Sequence, residues 1–398
     1  DELFDRLRHL EASAEFRTTF QYNNLMYMTA GLLAGEVAGS SWEELVRSRI
    51  LGPAGMDRTT VDMAGLRSAE EAATGYREAS RPDSVERPDD PELVAMDYRE
   101  IDAMGPAGSV NSTALDMARW IRLHLNGGVV DGTRVADAST VRRTHRPEIV
   151  VEGGVLSALL KQPEMPYLMY GLGWFVQPYR GHRMIHHGGN IDGFSARVSF
   201  LPDEGAGVVV LTNRNATSLP TVLTLRVFDR LLGLEPVDWS SRYRQLRERV
   251  ESAQRAGGDL REIHRQEHTS PAHGLDAYVG TYRDPGYGTL EVRREEDGLT
   301  ARYHGIELPL EHWHYDAWRG TVREPFDLAL LLQFETNRRG DVAALTVPLE
   351  PQVDPVRFEK EPPASMSDPS FLRKLTGRLS RLQAVTAASL MIRRELFD

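Results

Sequence analysis

The sequence predicts a three-layer α/β core followed by a small antiparallel β-barrel. Three observations carry that prediction. Up to about Asn126 the apolar spacing and cap residues are those of helices; from Tyr170 to Asn213 they are those of short strands joined by tight turns. From Leu275 a second run of short strands begins, after a charged stretch. A sheet flanked in sequence by helices on both sides can bury both of its faces, which is the layering such a core needs.

Taken in order, the chain opens helical at Asp1. Ser41-Trp42-Glu43-Glu44 is a capping-box pattern, opening a helix expected to stop near Gly52-Pro53. Residues 77 to 108 are rich in Pro, Asp and Arg and read as a long loop over the site. Ser112 is expected to cap a helix running to Asn126-Gly127-Gly128. Strands are expected from Gly173 to Gln177, Arg183 to Gly188, Ser195 to Pro202 and Gly207 to Asn213, with Asp203-Glu204-Gly205 as one of the turns. A helix from about Leu219 to Leu232 would cover the sheet.

A charged helical connector from about Trp239 to His268 then leads to a second domain. Leu275-Asp276-Ala277-Tyr278-Val279-Gly280-Thr281-Tyr282 opens its meander, with turn signals at Asp284-Pro285-Gly286, Glu296-Asp297-Gly298 and Arg338-Arg339-Gly340. After Pro362, Leu372, Leu375, Leu379, Leu382 and Leu390 fall near one helical stripe, and residues 371 to 398 carry six basic against two acidic side chains. Such an amphipathic tail either packs on the acidic body of the protein or seeks a membrane surface. The expected division is 1–235, a connector 236–270, a barrel 271–362 and a basic tail 363–398.

The 398 residues, 41% hydrophobic and 26% charged, are enough for two domains. A net charge of −11, with no basic stripe in the first 360 residues, argues against nucleic acid as a partner. Spanning a bilayer takes about 18 consecutive apolar residues, and no run reaches that length. The absence of cysteine excludes disulfides and a thiol nucleophile and leaves the compartment open.

Two motifs carry chemistry: Tyr22-Asn23-Asn24, and His187-Gly188-Gly189-Asn190-Ile191-Asp192-Gly193-Phe194. A phenol can act as base or acid if nearby cations lower its pKa from about 10. Two consecutive glycines leave room for substrate along a strand edge, and Gly193 can take the positive φ of a sharp re-entry. Taken singly, a tyrosine before a helix or a histidine in a strand is more often structural. Their order and flanks give them weight. Those flanks include Phe16 to Tyr27, Ala30-Gly31, Ile50-Leu51-Gly52-Pro53-Ala54-Gly55-Met56, Ala107-Gly108-Ser109 with Ser112 to Met117, and Tyr170-Gly171-Leu172-Gly173-Trp174.

Over roughly the first 235 residues this run resembles the class C β-lactamase-like, penicillin-binding-protein-like serine hydrolases of peptidase family S12. The resemblance implies a β-lactamase/transpeptidase-like fold, N-terminally truncated, in which Tyr22 is base or acid. Asn24 would orient a Ser-x-x-Lys lysine and bind the acyl-side amide. His187 stands where many relatives carry lysine, and a neutral imidazole there weakens the case for a true β-lactamase. Gly189 opens the strand edge, and the Asn190 N–H would be the second oxyanion donor. The barrel resembles the lipocalin-like domain appended to some of these enzymes.

No Ser-x-x-Lys occurs in the chain: Ser157 and Ser370 have lysines four positions on, at Lys161 and Lys374, and Gly-x-Ser-x-Gly is absent. The expectation is therefore a hydrolase fragment whose nucleophile lies on an N-terminal segment, or a non-catalytic descendant. The substrate would be a small molecule or peptide, amide or ester, with D-residues among the peptides it could take; a related thioesterase or peptide cyclase would use the same constellation. A homo-oligomer or an associated N-terminal piece is the expected partner. No cofactor or metal is expected. His186-His187, adjacent in a strand, point to opposite faces, and His312-Trp313-His314 puts two imidazoles on one face without completing a zinc set.

Overall fold

The computed structural model describes residues 2–79, 90–152, 157, 161–257, 265–296, 298–322, 328–350 and 353–362. It divides into two compact units. The first is Asp1–Asp5 with Ala14–Asp259, the second Arg6–Ser13 with Leu260–Asp398.

In the first unit, helix α1 (Asn24–Ala38) begins where the Asn23 side chain accepts from the Leu25 and Met26 N–H groups, and ends at Gly39 with φ 66°. At Gly31 the helix comes so close to Pro106 that a Cβ would lie 2.2 Å from its Cγ. Ser41 caps α2 (Trp42–Val46), accepting from the Glu44 N–H. The helical path then continues through Arg47–Leu51 and Gly52–Ala54 to Gly55 at φ 65°, within two residues of the expected stop. Pro53 sits in the first turn of that last segment, where its missing N–H costs nothing.

The stretch expected to be a loop holds instead a hairpin of β1 (Gly75–Glu78) and β2 (Leu93–Met96) and a short helical segment, Gly105–Gly108. Helix α3 (Ala114–Leu125) is capped by Thr113, which accepts from the Asp116 N–H; Ser112 bonds Thr59 instead. Asp116 is buried and bonds the Arg58 N–H and the Thr59 hydroxyl, so the start of α3 is fixed from two sides.

The sheet is six-stranded and antiparallel. Its strands are β3 (Ile149–Val150), β4 (Met169–Tyr170), β5 (Phe175–Tyr179), β6 (His182–Ile191), β7 (Phe194–Leu201) and β8 (Ala206–Thr212), in spatial order β8-β7-β6-β5-β4-β3. Ile185 and Phe200 face α3 in a cluster with Ile121 and Trp174. Met184 and Leu201, one position along each strand, face α4 (Leu219–Leu231) and α5 (Trp239–Gly257) with Leu225, Phe228 and Trp239. Helices thus cover both faces, the expected three layers.

In the second unit eight strands, β9 (Gly280–Asp284), β10 (Gly288–Glu295), β11 (Gly298–Tyr303), β12 (Ile306–His314), β13 (Ala317–Val322), β14 (Leu328–Thr336), β15 (Val342–Val347) and β16 (Val356–Lys360), form a closed antiparallel barrel. Tyr282↔Lys360 and Arg283↔Glu359 close the ring. Alternate residues such as Tyr282, Leu290, Leu299, Trp318, Phe334 and Phe358 point inward and pack on one another, as eight strands allow. At the Asp284-Pro285-Gly286 turn the Asp284 carboxylate accepts from the N–H groups of Gly286 and Tyr287, each at 2.8 Å. Asp297 of a second expected turn, residues 258–264 of the connector and the tail from 363 lie outside the described residues.

Candidate active site

Strand β6 positions the site. Its pairing with β5 ends at Phe175↔His186, while its pairing with β7 continues to Ile191↔Phe194. From His187 to Ile191 one edge of β6 therefore has no strand partner among the described residues. Which groups face that edge follows from the ladder. Tyr179↔His182 closes a two-residue turn and is hydrogen-bonded, so even-numbered residues of β6 direct their N–H and C=O toward β5. Pro178, which has no N–H to give, falls in the other kind of pair, opposite Arg183. Counting back from the Ile191↔Phe194 turn gives the same parity. The backbone groups of Gly188 and Asn190 thus project to the open edge.

Side chains follow the alternate rule. His187, Gly189 and Ile191 share the α3 face, and His186 lies behind. His187 Nδ1 is 2.7 Å from the Gly188 carbonyl, which can only accept, so Nδ1 carries the proton and Nε2 is the acceptor. Tyr170 Oη lies 3.1 Å and Tyr22 Oη 3.4 Å from Nε2. Tyr27 in turn hydrogen-bonds Tyr170 through its phenol. Phe20 and Phe175 pack edgewise against Tyr170 and each other, completing an aromatic wall.

Burial pulls the His187 imidazole below its ordinary range, and the charge of Arg197 adds to this against the Gly188 carbonyl. Burial, and then the Tyr27 phenol, push Tyr22 upward. The expected lowering of Tyr22 by cations is therefore reversed: among the described residues the groups that meet it are phenols and the His187 imidazole. Tyr170 is raised as well, by burial first and then by its phenol neighbours.

The sequence-derived residues are brought together unequally. Tyr22 and His187, 165 positions apart, meet directly. A Cβ on Gly189 would meet nothing within 4 Å, so that face of the strand is open. Asn190 offers only its backbone, because its side chain points to the other face, bonding Asn215, Ser195 and the Ala216 N–H. Asn24 is exposed at the first residue of α1 and makes no hydrogen bond to this group among the described residues; the lysine it was expected to orient is not in this motif set. Gly193 takes φ 89° as expected. Ser195 is committed, donating to Asn190 Oδ1 or the Arg214 carbonyl and accepting from the Thr217 N–H.

Sequence reasoning left Tyr27 and Tyr170 without a role, although Tyr170 opens one of the matching runs. It also missed two clamps. Arg99 grips Asp192 with two hydrogen bonds, the second at 2.9 Å, and Arg214 grips Glu78 at 2.7 Å. The residues of the two histidine pairs have separate hydrogen-bond partners. His186 is buried and bonds Gln177 at 2.7 Å. A β-bulge between His312 and His314 breaks their expected common face: His312 bonds the Tyr315 carbonyl, and His314 accepts from the Gln266 N–H. Among the described residues no group of three potential ligands assembles, and no helix is long and apolar enough to cross a membrane.

Helices on both faces of an antiparallel sheet, with an upstream tyrosine meeting a His-Gly-Gly strand, define a transpeptidase-like serine-hydrolase fold. The chain belongs to the Beta-lactamase family, which matches residues 1–231, and residues 264–360 match a domain of unknown function, DUF3471. It is 30% identical over 297 residues to the unguisins hydrolase of Aspergillus violaceofuscus, covering 72% of this chain and 52% of that protein. Penicillin-binding protein 4 of Amycolatopsis lactamdurans is 26% identical over 219 residues, 54% of this chain and 53% of that one. The chain spans about half the length of these relatives. Among solved structures, the octameric penicillin-binding protein homologue from Pyrococcus abyssi aligns with a TM-score of 0.46 at 18% identity, over 87% of this chain and 66% of that one.

Proposed function

We propose that this face carries the proton-transfer and oxyanion part of a serine hydrolase acting on an amide or ester, peptidic in character, through an acyl-serine intermediate. The observation that carries the reading is the meeting of Tyr22 Oη and His187 Nε2 at 3.4 Å beside an open strand edge. A tyrosine pushed upward in pKa does not stand as a phenolate. It acts while hydrogen-bonded: as the attacking hydroxyl gives its proton to Tyr22 Oη, the phenolic proton passes to His187 Nε2. The imidazolium so formed returns a proton by the same path to the leaving atom. The Asn190 N–H, facing the open edge, receives the developing oxyanion, a contribution typically worth about 10² to 10³ in rate. The names of two relatives, an unguisins hydrolase and a penicillin-binding protein, support an acyl-transfer reading.

The nucleophilic hydroxyl is not supplied by a Ser-x-x-Lys motif within these 398 residues. Intact mass spectrometry after treatment with a fluorophosphonate probe tests the proposal. An adduct that is lost or strongly slowed in Tyr22→Phe supports it. A species at the unmodified mass would mean that this chain, as it stands, is a fragment or a binder and not a catalyst.

A further inference from the structure

We propose that Tyr170 is a positioning residue whose hydroxyl serves His187 in both of its protonation states. It donates to the neutral imidazole and accepts from the imidazolium, with Tyr27 as the partner that lets it reverse. This role rests on the proposed function and concerns how that same face holds its proton acceptor. It starts from what Nε2 needs. His187 Nδ1 stays on the Gly188 carbonyl whether or not the ring is charged, so Nε2 is the nitrogen that changes role in a proton transfer. Neutral, Nε2 offers one lone pair; protonated, it has an N–H to give. A group that satisfies both states must donate as well as accept, as a phenol does.

Two phenols compete for that lone pair, and Tyr170 at 3.1 Å is nearer than Tyr22 at 3.4 Å. Tyr170 is also the better held. It is 8% exposed, its main chain pairs with Ile149 on one side and Phe175 on the other, and its ring is wedged by Phe20 at 5.3 Å and Phe175 at 4.7 Å. With the ring so fixed, the freedom that remains is rotation of the O–H. Its oxygen hydrogen-bonds Tyr27 Oη, and Tyr27, half-buried, has room to turn its own proton away. At rest the chain of bonds runs from Tyr27 to Tyr170 to Nε2. When Tyr170 turns its proton onto Tyr27 Oη, the lone pair is released to Tyr22, and the Tyr170 oxygen faces the imidazolium that forms. Two hydroxyl rotations accomplish this, and no proton changes owner within the Tyr27 and Tyr170 pair. Burial pushes the Tyr170 phenol upward, so it keeps its proton throughout.

Heteronuclear NMR of the imidazole nitrogens in the intact chain, with the His187 signals assigned by their loss in His187→Gln, tests this. At neutral pH the Nε2 resonance is expected to move toward that of an unbonded imine nitrogen in Tyr170→Phe, and to move less in Tyr22→Phe. Tyr27→Phe keeps the resting bond but takes away the acceptor behind a charge-assisted one. Half-protonation of His187 in that variant is expected to need a pH lower by about one unit, tenfold in proton affinity. The other groups acting on His187, the Gly188 carbonyl and the Arg197 charge, are common to all three variants, as is His186 beside it. A resonance that Tyr170→Phe leaves in place overturns the proposal, and so does a titration that Tyr27→Phe leaves unshifted. Fluorophosphonate labelling of Tyr170→Phe is expected to slow about tenfold, the scale of one hydrogen bond, and labelling at the wild-type rate overturns the proposal as well. No adduct in wild type, with both NMR changes as expected, sinks the catalytic reading and leaves the Tyr170 bond to His187 standing.

Discussion

At the scale of single residues, Gly193 shows how tightly the site is built. It sits at φ 89°, and a Cβ there would lie 2.6 Å from the Gly75 Cα, so both its backbone angle and the seat of the β1 hairpin demand glycine. The Tyr76 N–H donates to the Gly193 carbonyl at 3.3 Å and to the Asn213 carbonyl at 3.1 Å, locking hairpin and turn together. Gly193→Ala combines left-handed strain with a backbone collision and is expected to cost at least about 2 kcal/mol in urea unfolding. A loss below about 0.5 kcal/mol would mean that β1 does not rest on this turn. The positive φ was legible in the sequence, because a glycine between Asp192 and Phe194 invites it. Gly75 as its opposite number was not, since nothing local in Thr74-Gly75-Tyr76 announces a contact 118 positions away. The phenol relay has the same history: Tyr22 and His187 stood out by motif, whereas Tyr27 and Tyr170 acquire meaning only when Tyr170 arrives within 3.1 Å of Nε2.

Elements were legible where local pattern and tertiary demand agree. Alternation and turn residues located β5 to β8 to within a few positions, and the Ser41 cap located α2. They failed between residues 77 and 108, because β1 and β2 are four-residue strands whose pairing depends on long-range support from the Gly193 turn. The sheet's own margin carries a further consequence. β8 is its last strand on one side, and among the described residues no strand pairs with its outer edge. Its sequence, Ala206-Gly207-Val208-Val209-Val210-Leu211-Thr212, is apolar and uncharged, and Leu211 is 39% exposed. Such an edge templates pairing with another chain. Leu211→Lys is expected to lower concentration-dependent self-association in sedimentation velocity while changing stability by less than about 0.5 kcal/mol. Unchanged association would place the contact elsewhere.

At the scale of the molecule, the acidic surface charge of −11 conceals basic groups that folding holds neutral. His124 and His145 are both buried, joined Nδ1 to Nε2 at 2.8 Å, and enclosed by Trp174 and Phe200. His124 Nε2 is buried without a hydrogen-bond partner among the described residues. Burial, then the partner imidazole, pulls His124 down to about 3; burial, then the charge of Arg183, pulls His145 down to about 4. On the opposite face of the sheet His186 is also held down, by burial and then by Arg197, a guanidinium only 5% exposed. In the unfolded chain these imidazoles titrate near 6.5. Because their folded pKa values are depressed, the unfolded state binds more protons as the pH falls. Their contribution is complete above about 6.5 and is lost from there down to about 4 for His145 and about 3 for His124. Each group that takes up a full proton on unfolding steepens the fall by about 1.4 kcal/mol per pH unit. Urea unfolding measured at intervals from pH 7 to pH 4.5 should show this decline. His124→Phe, which keeps the aromatic packing and removes one of the coupled pair, should flatten it by up to one proton. A slope identical to wild type would mean that the pair is already open to protons in the folded chain, and that the interior between α3 and the sheet is wetter than its packing implies.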